Sequence, residues 1–236
     1  MNQYLMQKAL RCRNGRVAIV TGRDRQAFGT LRELSLDRDG GTVPKGPKVI
    51  LHMIPELALK QPFERLEGPH YLTADQLGYR LESQETLPQL RPLSKPRLEI
   101  RNRYLSSQGI RYEFDGPAYL EVFNTGLIES VDYGTLIDAE RNFLSLDDLF
   151  EACPAAVERF LQVLGELGYR TTTYLFLTLT DVRGIKYETS GHRISFFKDQ
   201  DCVAGPQVYV YGSTPDSDVP ANNLVLELGG CAEEGP

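Results

Sequence analysis

The sequence predicts an α+β protein built on one mixed, mostly antiparallel sheet, with at least one helix packed on a face. Three observations carry that expectation. Thr172 to Thr180 reads TTYLFLTLT, with Leu175, Leu177 and Leu179 on one side and Tyr174, Phe176 and Thr178 on the other. Two such faces suit a strand with neighbours on both sides. Ala118–Phe123 and Leu127–Val131 flank Asn124-Thr125-Gly126, the pattern of a hairpin. Val157, Phe160, Leu161, Leu164 and Leu167 fall on one helical stripe.

Taken in order, residues 3–21 offer a hairpin turning at Arg13-Asn14-Gly15 or, equally, a loose arm followed by one strand over Val17–Val20. Phe28, Leu31 and Leu34 give a helical spacing over 24–38 that Gly40-Gly41 stops. Lys48–Pro55 is a short apolar run between prolines, the mark of a strand covered on both faces. Residues 56–110 carry Pro62, Pro69, Pro88, Pro92 and Pro96 with little periodicity, so a long irregular excursion is expected, with one short helix near Thr73–Leu77. Ser145 followed by Asp148 marks a helix start, since a serine hydroxyl caps free backbone N–H groups. Pro154 suits the first turn of the main helix, and Gly168 ends it. Ile194–Phe197, Gln207–Tyr211 and Leu224–Leu228 read as further strands. The layout is therefore an N-terminal strand/helix arm over 1–43, a main α+β domain over 44–229 and a frayed tail over 230–236.

Composition narrows the function classes. At 236 residues the chain can bury about 70% of its unfolded surface without staples. Its net charge is -6 and its pI about 5.2, against the basic excess usual in a domain that grips nucleic acid through its surface. Cys12, Cys153, Cys202 and Cys231 form no metal knuckle, and so few, scattered cysteines fit a reducing compartment. No stretch approaches about 18 apolar residues and the N-terminus lacks an apolar secretory core, so the expected location is the cytoplasm, without a membrane partner.

Three segments share an order with a known family. GPKVILHMIPELAL (46–59) is followed by YLEVFNTGLIESVD (119–132), and that by the helix over 146–167 and LGYRTTTYLFLTLTDVRGI (167–185). The succession resembles the C-terminal region of bacterial "ATP-binding" or helix-turn-helix proteins that carry an N-terminal Schlafen-type AlbA-like domain. It spans roughly residues 16–186 and rests on Gly46, Pro47, Leu51, His52, Pro55, Tyr119, Phe123, Gly126, Ile128, Glu129, Val182 and Gly184. The AlbA-like domain is absent here, apart from a counterpart of its last strand near Val17–Val20. The resemblance implies a bacterial accessory domain, brings no catalytic residue, and does not transfer that domain's nucleotide or nucleic-acid labels.

The candidate chemistry is sparse. Asp115 and Glu121 invite a metal-dependent hydrolase or nuclease reading, in which carboxylates hold a divalent cation. The lysine such sites place two residues on is Phe123 here, so turn and solvent-face roles are the simpler account. An imidazole can serve as base or ligand, which makes His52 a candidate, but His70 and His192 stand far from it in sequence. Cys153 at a helix start could have a lowered pKa; a small buried apolar role is the commoner one. Arg97, Arg101, Arg103 and Arg111 form a basic segment with Tyr104 that could meet phosphates. No phosphate loop, dinucleotide turn or nucleophile elbow is present. The sequence thus favours a non-enzymatic binding or accessory module of a bacterial intracellular assembly, with a protein partner and no cofactor or metal. Nucleic-acid binding by the arginine-rich segment is the alternative, and hydrolysis by Asp115 and Glu121 the second.

Overall fold

The structure is a computed structural model that describes residues 45–59, 71–94, 97–106, 108–138, 140–188, 194–199, 201–211, 218–229 and 232–234. The chain divides into two compact units, Met1–Lys45 and Gly46–Pro236. The hairpin or arm expected over 3–21 and the helix over 24–38 lie outside the described residues.

The protein is α+β. Seven strands form a large sheet: β1 (Lys48–Pro55), β2 (Ile100–Ser106), β3 (Gly109–Phe114), β4 (Ala118–Phe123), β5 (Ile128–Asp132), β8 (Thr173–Thr180) and β11 (Cys202–Tyr209). Their order is β11-β8-β1-β5-β4-β3-β2, and every pair is antiparallel. The β4–β5 hairpin turns where expected, and Gly126 takes φ +83°, a conformation open to glycine at little cost. β8 is an internal strand, between β11 and β1.

Alternation along these strands gives the sheet two buried faces. On the first, Val49, Leu51 and Met53 of β1, Leu120 and Val122 of β4, and Leu175, Leu177 and Leu179 of β8 join one apolar core. Helix α3 (Leu146–Glu166) supplies Val157, Phe160 and Leu164 to that core. The Ser145 hydroxyl caps it by accepting the Asp148 N–H at 3.2 Å. Gly168, at φ +90°, follows its last turn. Pro154 is not in the first turn, as its residue type suggested, but inside this one long helix. The stripe Leu149, Cys153, Ala156, Val157, Phe160 runs through it without a break, so apolar burial outweighs the hydrogen bond a proline removes.

Four further expectations are corrected. Leu224–Leu228 lies in a helix, α4 (Asp218–Gly229), not a strand. Its buried residues Ala221, Leu224, Val225 and Leu228 recur at helical spacing, and α4 lies against β8, β11 and α3. The irregular excursion is more ordered than its prolines suggested. It contains α1 (Glu56–Leu59), α2 (Ala74–Leu81) with a Thr73/Gln76 capping box, a 3-10 turn (Leu87–Gln89) and the strand β2. A second, five-stranded sheet, not foreseen, has the order β12-β10-β9-β7-β6, from β6 (Ile137–Asp138), β7 (Phe143–Leu144), β9 (Lys186–Glu188), β10 (Ile194–Phe197) and β12 (Ala232–Glu234). Finally, Ala232–Glu234, expected to be part of a frayed tail, pairs antiparallel with β10 through backbone bonds that its sequence does not advertise.

Candidate functional site

The second face of the large sheet carries a row of polar groups. The register sets His52 opposite Glu129, Glu129 opposite Glu121, Glu121 opposite Arg111, and Arg111 opposite Tyr104. On the other side of β1, Phe176 faces His52. Directly opposed residues point to the same face, so strand pairing alone lines up these six side chains over about 24 Å.

Two carboxylates directly opposite one another repel, and both are desolvated: Glu129 is 1% exposed and Glu121 3%. The neighbours answer each charge separately. His52 Nε2 lies 2.7 Å from Glu129 Oε2, and Tyr119 donates its hydroxyl to Glu129 Oε1 at 2.8 Å. Arg111 donates from Nε and its terminal nitrogen to Glu121 Oε2 at 3.0 and 2.9 Å. The guanidinium also sits 4.3 Å over the Tyr119 ring, a cation–π contact that ties the two halves together. Burial opposes the charge on Arg111, but Glu121, Tyr119 and Glu129 more than offset it and hold its pKa above the usual value.

Such a chain of imidazole, carboxylate, phenol and guanidinium has the ingredients of a proton relay. Here His52 is fully buried and the carboxylates nearly so. Among the described residues these bonds link side chains on four adjacent strands, β1, β5, β4 and β3, and so favour their register.

Of the residues singled out from sequence, His52, Glu121 and Arg111 meet in this row. Asp115 does not. It is exposed in the turn after β3 and accepts the Glu99 N–H at 3.1 Å. It lies about 13 Å along the strand from Arg111, the cross-strand partner of Glu121. Asp115 and Glu121 therefore do not converge, and among the described residues no group of three or more His, Cys, Asp or Glu is placed to hold a metal ion.

The arginines do not form a stripe either. Arg103 points to the opposite face from Arg111, toward α2, and pairs with Glu82. Arg101 sits at a bulge between Ile100 and Asn102. Arg97 and Arg101 are exposed, and neither makes an ion pair among the described residues. Cys153 is fully buried and its thiol is pushed up to about 12 by burial, the reverse of an activated nucleophile.

Tyr119 and Glu129 belong to the row but were not among the candidates. The period of two along β4 puts Tyr119 beside Glu121, and the hairpin turn sets Glu129 across from it. That part was available from the residues. The link to His52 depends on β1 pairing with β5, which no local pattern specifies. No protein-family model and no curated protein matches the chain. No helix among the described residues is long and apolar enough to cross a membrane.

Proposed function

We propose that the protein is a non-enzymatic binding or accessory module that acts through surface contacts with a protein partner in the bacterial cytoplasm. The observation that carries this reading is the buried polar row. His52, Glu129 and Glu121 are the strongest acid–base candidates, and all three are at most 3% exposed and engaged with one another or with Tyr119 and Arg111. A group that must meet substrate needs an approach path, whereas one that holds strands together needs only its neighbours. The buried free thiol of Cys153 agrees with a reducing compartment. Kinship with the domain that accompanies AlbA-like modules belongs to the same proposal. Two positions that carry that resemblance, His52 and Tyr119, are both hydrogen-bonded to a third, Glu129, which supports a structural rather than a catalytic sense for the motif.

The test is an assay of plasmid DNA, RNA and generic ester cleavage with Mg²⁺ and Mn²⁺, run on the intact chain and on Asp115→Ala and Glu121→Gln. The expected result is no metal-dependent turnover by any of the three. Metal-dependent cleavage that disappears in either variant, with its thermal unfolding unchanged, would replace the binding reading by the hydrolase one.

A further inference from the structure

One side of α3 borders a groove of about 480 Å³. Its far wall comes from Leu93 and Ser94 and from the turn at Thr135 and Leu136. The α3 wall is shaped by Ala152 and Ala155, whose short side chains leave the space open. The two ends differ in charge. Asp148 and Glu151 stand at one end, exposed and without an ion-pair partner among the described residues. Arg159 stands at the other. Its guanidinium gives one N–H to the Pro92 carbonyl at 3.1 Å, while its Nε is buried with no acceptor. No carboxylate pairs with it among the described residues, and Arg91 adds a second positive charge nearby. Burial and that like charge lower the Arg159 pKa and outweigh the opposing pull of the Glu158 carboxylate, so this end still favours an anion. Between the ends, the Thr135 hydroxyl is buried and unbonded.

A charge held half-buried beside a like charge, with a donor unused, costs free energy that an incoming anion removes. The two ends lie a fixed distance apart. At about 1.5 Å per residue, Glu151 and Arg159 are separated by about 12 Å along the axis. An extended chain at about 3.3 Å per residue covers that length in about four residues. Leu93 and Leu136 offer apolar wall, and Thr135 a hydroxyl for a peptide amide. We infer that this groove binds a short extended peptide segment that carries a carboxylate at the Arg159 end and a basic side chain about four residues away, at Asp148 and Glu151. This deepens the binding-module reading and rests on it. A single anion would leave the acidic end unmatched, and a single cation the basic one.

The probe is the blocked peptide acetyl-Lys-Ala-Ala-Ala-Asp-amide, titrated into the ¹⁵N-labelled full chain and followed by amide chemical shifts. Saturable shifts are expected at Thr135, Ala152 and Ala155, with affinity lowered about tenfold by Glu151→Gln and again by Arg159→Gln. Glu151 is exposed, so its variant keeps the fold even if the Arg159 variant does not. The neutral analogue acetyl-Gln-Ala-Ala-Ala-Asn-amide should not saturate. The inference is overturned if no saturable shifts appear, if the neutral peptide binds as tightly, or if sodium acetate alone fills the site with the affinity of the peptide. Mass spectrometry of the peptide afterwards separates the two readings. Intact peptide is expected; cleaved peptide would sink the non-enzymatic module and leave the groove as a peptide site.

Discussion

Glu121 and Glu129 face one another across β4 and β5, and how their charges are matched governs what single substitutions do there. The Arg111–Glu121 pair is buried, with side-chain exposures of 15% and 4%. Desolvation of such a pair offsets most of its attraction, so the pair as a whole adds little net stability, while either member left alone is costly. Glu121→Leu should therefore destabilise by about 3–5 kcal/mol, and the double variant Arg111→Met/Glu121→Leu should regain most of that loss. Urea unfolding of the three proteins measures both numbers. A double variant no better than the single one would mean that Glu121 is held chiefly by something other than Arg111. The sequence offered Glu121, Arg111 and His52 as separate suspects for separate chemistries. What it could not offer was their meeting, since His52 and Glu129 are 77 positions apart and joined by strand pairing. Side-chain type was legible at this scale; the partner of each side chain was not.

Among the elements, legibility followed how local the determinants are. The β4–β5 hairpin, β8 and the stripe of α3 are written in period and turn chemistry, and each appears where those patterns put it. α4 was misread because its apolar run is short, and a short run carries too little period to separate helix from strand. β2 was missed because it is an edge strand. Its side chains Arg101 to Leu105 are all exposed, so burial imposes no alternation on them. Ser145 marked the helix start correctly, whereas Pro154 misled, being a residue the helix tolerates rather than one that starts it. The hairpin turn allows a direct test. Gly126 has φ +83°, and a Cβ there would come within 2.6 Å of the Tyr169 ring. Gly126→Ala meets both left-handed backbone strain and that ring, and should cost about 2 kcal/mol or more. Gly165 in α3 serves as the control, because a Cβ there meets nothing within 4 Å. Gly165→Ala should raise the unfolding midpoint slightly, as helix propensity dictates. Equal effects of the two would show that the turn does not constrain the hairpin.

For the whole molecule, the question is whether the basic segment amounts to a polyanion site. Affinity for nucleic acid comes first from several cations meeting several phosphates at once, and each contact contributes a slope of about 0.7–0.9 in log K against log salt. Of the four arginines in question, Arg103 is paired with Glu82 and Arg111 with Glu121, and the two lie on opposite faces of the sheet. That leaves Arg97 and Arg101, with the exposed Glu99 between them in sequence and the exposed Asp115 accepting the Glu99 N–H. Two free cations against a net charge of -6 give a shallow salt slope and weak attraction at best. Anisotropy titrations with duplex DNA and single-stranded RNA, at low and near-physiological salt, should show no sub-micromolar binding. Any residual association should have a slope no steeper than about two contacts allow. The same titration on Arg97→Ala/Arg101→Ala should then differ little from the parent. Sub-micromolar binding that weakens when Arg101 and Arg103 become alanine would require Arg103 to leave Glu82 for phosphate, and would put nucleic acid ahead of a protein partner.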